Sequence, residues 1–136
     1  MGMSAYLSQK LMGQFLNGVA YSWPATVYLA LFTVQPSGGT GGTEANYTGY
    51  ARLAITVNTT NFSAVTTAGV VKNAVVQTFG TNTGTAQTVV GYGLFDAATG
   101  GNLLTDNTLT TSQTVNNGAS PSFAVDSLTL TGVISP

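Results

Sequence analysis

Apolar side chains recur at two periods along this chain. Between residues 4 and 17, Leu7, Leu11 and Phe15 stand at i, i+4 and i+8, with Met12 and Leu16 beside them. That spacing puts one apolar stripe on a helix. Ser4 suits the N-cap of such a helix, and Asn17-Gly18 suits a left-handed stop. After Trp23-Pro24 the period drops to two. Over residues 27–33, Val27, Leu29 and Leu31 fall on one face of a strand and Tyr28, Ala30 and Phe32 on the other. Both faces are apolar, which predicts a central strand covered on both sides. Further strands are predicted at 50–57, 70–71, 75–79, 89–90, 92–96 and 103–108, residues 113–115 lead into a turn, and 122–125 with 128–133 make the final strand region. Polar and glycine-rich stretches at 36–43, 58–61, 81–87 and 116–118 separate them. The clearest hairpin joins 92–96 to 103–108 through the five residues 97–101.

Short strands at this spacing predict an all-β fold, a β-sandwich or jelly-roll-like domain preceded by one short N-terminal α-helix. One domain spans 1–136, with the helix in 1–18 and the sandwich in 24–136. The helical stripe is expected to lie on the domain's own sheet. Docking on a partner subunit is the alternative, because a terminal helix is easily lent to a neighbour.

Composition sharpens this picture. Thr is the commonest residue, and its branched Cβ favours strands. Charged residues make up 5%, against roughly 25% in an ordinary soluble domain. The net charge of −1 gives no pull on nucleic acid or an anionic membrane, so neither is expected as a partner. The longest apolar run, 27–32, is too short to span a bilayer. No secretory signal pattern opens the chain, so synthesis in the cytoplasm is expected. Only Lys10, Arg52 and Lys72 are available as basic guards of sheet edges, and a protein so equipped is expected to associate.

Candidate chemistry is sparse. With no Cys and no His, thiol nucleophiles, imidazole bases and zinc sites are excluded. The glycines of 36–43 resemble a phosphate cradle, but no Lys follows them. Asp96 and Asp106 flank the hairpin and could serve as a carboxylate pair or calcium ligands, though turn capping is the commoner role for such residues. Trp23, Tyr21, Tyr28, Tyr47, Tyr50 and Tyr92 offer rings for stacking a sugar, or for core packing. Arg52 reads either as one partner of an exposed ion pair or as an interface anchor. No catalytic, cofactor or metal residue is assigned. The candidate contact residues are Leu7, Leu11 and Phe15 on the helix, then Trp23, Arg52, Gly100 and Gly101.

Several stretches in order resemble a family of small bacteriophage virion structural proteins. They are Tyr6-Leu7-Ser8-Gln9-Lys10-Leu11, then residues 24–33, then Gly49-Tyr50-Ala51-Arg52 and Asn61-Phe62. The most specific is Gly93-Leu94-Phe95-Asp96-Ala97-Ala98-Thr99-Gly100-Gly101-Asn102-Leu103-Leu104. Leu109-Thr110-Thr111, Asn117-Gly118 and Ser122-Phe123 follow it. The chain departs from the family pattern at Thr105-Asp106-Asn107, where aromatic residues are usual. The resemblance implies a non-enzymatic virion component without cofactors. A capsid cement or decoration protein is the favoured expectation, associating with itself as a trimer and with the major capsid protein. A tail fibre or other tail component is the alternative, with other tail proteins as partners. A carbohydrate-binding adhesin module using the Tyr and Trp set is a further alternative.

Overall fold

The computed structural model describes residues 2–131. Its elements in chain order are β1 (Gly2–Met3), α1 (Ala5–Asn17), β2 (Thr26–Val34), β3 (Thr43–Glu44), β4 (Leu53–Thr56), β5 (Val70–Lys72), β6 (Gln77–Thr78), β7 (Gln87–Phe95), β8 (Leu103–Val115), β9 (Ser122–Phe123) and β10 (Thr129–Thr131). The segment with two apolar faces, β2, sits inside a six-stranded sheet ordered β1-β8-β7-β2-β3, with β4 also paired to β2. All its pairings are antiparallel.

Register decides which residues share a face. Leu29 lies opposite Leu94 and Leu31 opposite Tyr92, while on the other side Val27 faces Ile55 and Leu29 faces Leu53. Directly opposed residues point the same way, so these side chains form one apolar surface. Two ribbons, β5 with β10 and β6 with β9, cover it. Leu128, Leu130, Phe79 and Phe123 come down from that layer onto Leu29, Leu31, Val89, Tyr92 and Leu94. Tyr92 ties the layers together: its hydroxyl accepts from Thr129 N at 3.1 Å, and its ring lies 5.2 Å from that of Phe123.

The opposite face of β2 carries Ala30 and Phe32, also buried. Across from Ala30 stands Gly93, which leaves room there: a Cβ on it would come within 2.9 Å of Phe32 and 2.8 Å of Leu103. The predicted two-sided burial of this strand therefore holds. The all-β class with one short N-terminal helix holds as well. The second layer is two short ribbons rather than one broad sheet.

Several boundaries move for local reasons. The predicted strand 50–57 shortens to β4 because Tyr50 closes a turn, Tyr50 N donating to Tyr47 O, and turns its hydroxyl to Glu44. The strand at 75–79 contracts to β6, with Val75 and Val76 left exposed. The predicted strand 103–108 runs on through residue 115 as the continuous β8, whose pairing with β7 shifts register between Val89 and Gly91. Segment 122–125 contracts to β9. The last predicted strand is found as β10, and residues 132–133 of it lie outside the described residues.

Candidate functional site

The helix is fixed at one end only. Ser4 is buried and caps α1, accepting from Leu7 N through its hydroxyl at 3.1 Å, and its own N–H donates to Leu104 O of β8 at 2.8 Å. Gly18 ends the helix at φ 65°, a left-handed conformation that glycine adopts without penalty. Between these caps no residue of α1 is buried. Tyr6 and Leu7 touch the core, but the stripe beyond them does not. Phe15 is 78% exposed, Leu16 65%, and Met12 and Leu11 are partly open too. The expectation that the stripe lies on the domain's own sheet is thus met only at Leu7. Ser4 pins the first turn to β8, and the remaining turns run past the sheet.

Trp23 joins this exposed end. Its ring packs edge-on against Tyr21, with centroids 4.6 Å apart and planes at 87°, and Tyr21 meets Tyr6 in the same manner. Leu11, Gln14, Phe15 and Trp23 together line a shallow cleft of about 380 Å³. Three of the seven residues singled out from sequence therefore share one surface. The six rings available for sugar stacking do not assemble into one platform: Tyr47 and Tyr92 are buried in the core, and Tyr21 and Trp23 stand at right angles.

Arg52, Gly100 and Gly101 form a second group, at the hairpin tip. The Arg52 guanidinium makes a two-pronged contact with Glu44, Nε to Oε1 and Nη2 to Oε2, both at 2.8 Å. Its Nη1 donates to the carbonyls of Ala97 and Gly100, each at 2.8 Å. The same group lies 3.6 Å from the centre of the Phe95 ring, a cation–π contact. Its side chain is only 8% exposed. Arg52 is spent inside the chain, clamping the hairpin loop to β3. Neither the exposed ion pair nor the outward anchor describes it. Burial pushes the Glu44 carboxyl up. The hydrogen bonds from Arg52 and Tyr50 and the Arg52 charge outweigh this, so it sits below the usual glutamate range. Burial, aided by the adjacent Glu44, drives the Tyr50 hydroxyl far above the usual tyrosine value.

The two aspartates serve the fold. Asp96 closes the hairpin loop, accepting from Asn102 N at 2.7 Å and from Asn102 Nδ2 at 2.9 Å. Asp106 stands opposite Gly93, further along the hairpin, and accepts from Gln35 Nε2 at 2.6 Å. The register does not set them face to face. Among the described residues no group of three His, Cys, Asp or Glu side chains is placed to hold a metal ion.

Sequence reasoning missed two features. The first is a pair of fully buried asparagines, Asn73 and Asn82, which satisfy loop backbone groups. Asn in a Thr- and Asn-rich chain gives no signal of which copy is buried. The second is an apolar groove of about 610 Å³ where the two layers open. Val27 and Leu94 of the sheet, Val71 and Leu130 of the ribbon, Phe62 and Leu7 line it. It arises from residues distant in sequence and leaves no local pattern.

No curated protein matches this sequence. A family model does, over residues 2–131, which includes α1, the clamp, the hairpin and both ribbons. That family consists of phage virion fibre proteins, and the chain belongs to it: Podophage GP4 fiber I protein gp80.

Proposed function

We propose that this chain is a structural subunit of a phage tail fibre and acts by contact rather than catalysis, as a homo-oligomer. The observation that carries the reading is the helix α1, whose apolar stripe stays open to solvent along a chain with almost no charge. An exposed apolar surface of this kind marks an interaction site. Permanent interfaces are poor in charged residues, as this surface is. The fibre description of the family favours a tail position over the capsid-cement role that the sequence alone favoured.

Reconstruction of the virion by electron microscopy tests the placement. Density for this fold in a tail appendage is the expected result. Density on the shell, between capsomers, supports the cement role instead. Sedimentation of the purified chain tests the assembly: a discrete oligomer is expected, and a monomer at high concentration contradicts it.

A further inference from the structure

We propose that the exposed face of α1 is a two-fold contact between two copies of this chain, in which Phe15 of each copy seats in the cleft beside Phe15 of the other. This rests on the reading of the chain as an assembled virion subunit and names the surface through which it assembles.

That surface carries both halves of such a contact. Leu11, Gln14, Phe15 and Trp23 line a shallow cleft of about 380 Å³. The Phe15 ring stands at its edge and is 78% exposed, against 38% for Leu11 and 48% for Trp23. The projection and the depression therefore lie side by side. Met12 and Leu16 repeat the spacing of Leu11 and Phe15 one position on, so a second apolar row flanks the first. Two copies that meet through the same patch are related by a two-fold axis, which pairs residue i with j and j with i. One such axis close to Phe15 places each ring in the opposite cleft. The pair is then closed, with no cleft left for a third copy.

The cleft wall is fixed before anything enters. Trp23 is held by Tyr21, with ring centroids 4.6 Å apart, and Tyr21 by Tyr6 of the first helical turn, at 6.4 Å. Tyr6 in turn packs against the core. A wall held in this way does not have to be ordered on contact, which removes one cost of association.

The chemistry of the cleft selects an apolar occupant. Among the described residues, Gln14 is the only polar side chain on its wall. A sugar would leave most of its hydroxyls against Leu11, Phe15 and Trp23 without partners, at a desolvation cost. Lys10 is the one charge on α1; it does not line the cleft, and its ammonium lies over the Tyr6 ring at 5.4 Å. An entering ring therefore strips water from no charge.

Area selects a second copy. An aromatic side chain presents roughly 150–250 Å², so Phe15 and Trp23 at their observed exposures leave about 250 Å² open. Leu11, Met12 and Leu16 bring the patch to about 600 Å², the upper end of what monomers expose. Two copies face to face then remove about 1,200 Å² from water, the size at which stable specific interfaces begin. The partner that matches this patch in extent and in lack of charge is the patch itself.

The chain's single tryptophan stands in the cleft wall, so its fluorescence reads the contact directly. As concentration rises, the parent is expected to sediment at twice the mass of the chain while Trp23 emission shifts to shorter wavelength. Phe15 touches no core residue, so Phe15→Ser is expected to keep its circular dichroism, to associate at least about tenfold more weakly and to lose the emission shift. The chain has no native cysteine. Phe15→Cys thus places one thiol beside the axis, and a short thiol-to-thiol cross-linker is expected to join it to itself. Val65→Cys, which lines the apolar groove and not this patch, is expected to stay unjoined, although a one-armed maleimide labels both thiols. A trimer, or an oligomer that keeps growing with concentration, overturns the two-fold contact. So does an oligomer in which Trp23 emission does not move, one that Phe15→Ser leaves intact, or one in which Phe15→Cys does not join to itself. Those results leave the chain an assembled subunit with a different contact, whereas a parent that stays a monomer throughout removes the assembly reading as well.

Discussion

Asn73 exposes none of its surface, and its side chain serves three backbone groups. Nδ2 donates to Val75 O at 2.9 Å and to Ala124 O at 2.8 Å, and Oδ1 accepts from Leu128 N at 2.8 Å. It thereby fastens the loop after β5 to the segment between β9 and β10. Removing the amide leaves three partners unmet, at about 1–3 kcal/mol for each one that stays dry. Asn73→Ala is therefore expected to lower the unfolding free energy by at least 3 kcal/mol, read as a drop in denaturant midpoint at constant slope. Glu44 is the matching case for charge. Its native carboxyl titrates below its ordinary value of 4.5. The unfolded chain thus takes up that proton at a higher pH than the native chain does. The stabilisation is complete above the ordinary value and is lost as pH falls through the depressed one. Glu44→Gln is expected to melt lower than the parent at pH 7. Its melting temperature should also fall less steeply between about pH 5 and 3, where the parent loses this contribution. An identical acid slope in the two proteins contradicts the assignment.

At the scale of elements, the hairpin loop separates two glycines that look alike in sequence. Gly100 and Gly101 both have positive φ, 59° and 72°. A Cβ on Gly100 meets nothing within 4 Å, while one on Gly101 meets Ala97 Cβ at 2.6 Å and Asp96 Oδ1 at 2.5 Å. Gly100→Ala is expected to destabilise by about 1–2 kcal/mol, the penalty for an ordinary residue in this conformation. Gly101→Ala is expected to cost clearly more, because it also dislodges the Asp96 cap on Asn102. Thermal melts of the two variants side by side check the order. Gly13 is the opposite case. It sits inside α1 with open space around its Cα, so Gly13→Ala is expected to stabilise by roughly 0.5–1 kcal/mol. The same contrast explains what the sequence revealed. Alternation exposed β2, and i, i+4 spacing with Ser4 and Gly18 exposed α1, because both signals are local. The hairpin was legible from its turn residues. The Arg52 clamp was not, since it joins residues 44, 52, 97 and 100, and nothing near Arg52 says that carbonyls of a distant loop will surround it. The stripe was legible as apolar, but its exposure was not. That depends on where β8 holds the first helical turn.

For the whole molecule, the decisive quantity is how little charge it carries: three basic and four acidic side chains in 136 residues. The one ion pair found among the described residues, Arg52 with Glu44, is occupied inside the chain. The assembly proposed for such subunits relies on apolar burial, which contributes about 25 cal/mol per Å² removed from water. The helix α1 carries a single charged side chain, Lys10, so a contact made through its apolar stripe offers salt little to screen. Its association constant is therefore expected to change less than threefold as sodium chloride rises from about 0.05 to 1 M, although the screening length shrinks severalfold over that range. Sodium sulfate is expected to tighten it, because sulfate strengthens apolar burial. Phe15→Asp replaces a ring worth about 1.5–3 kcal/mol of burial with a carboxylate that resists leaving water. At 1.4 kcal/mol per decade, the loss reaches a hundredfold or more in association. Sedimentation across the salt series, with the parent and the Asp variant in parallel, reads all three effects. A parent oligomer that dissociates steeply in sodium chloride would mean that charges, and not the stripe of α1, hold the subunits together.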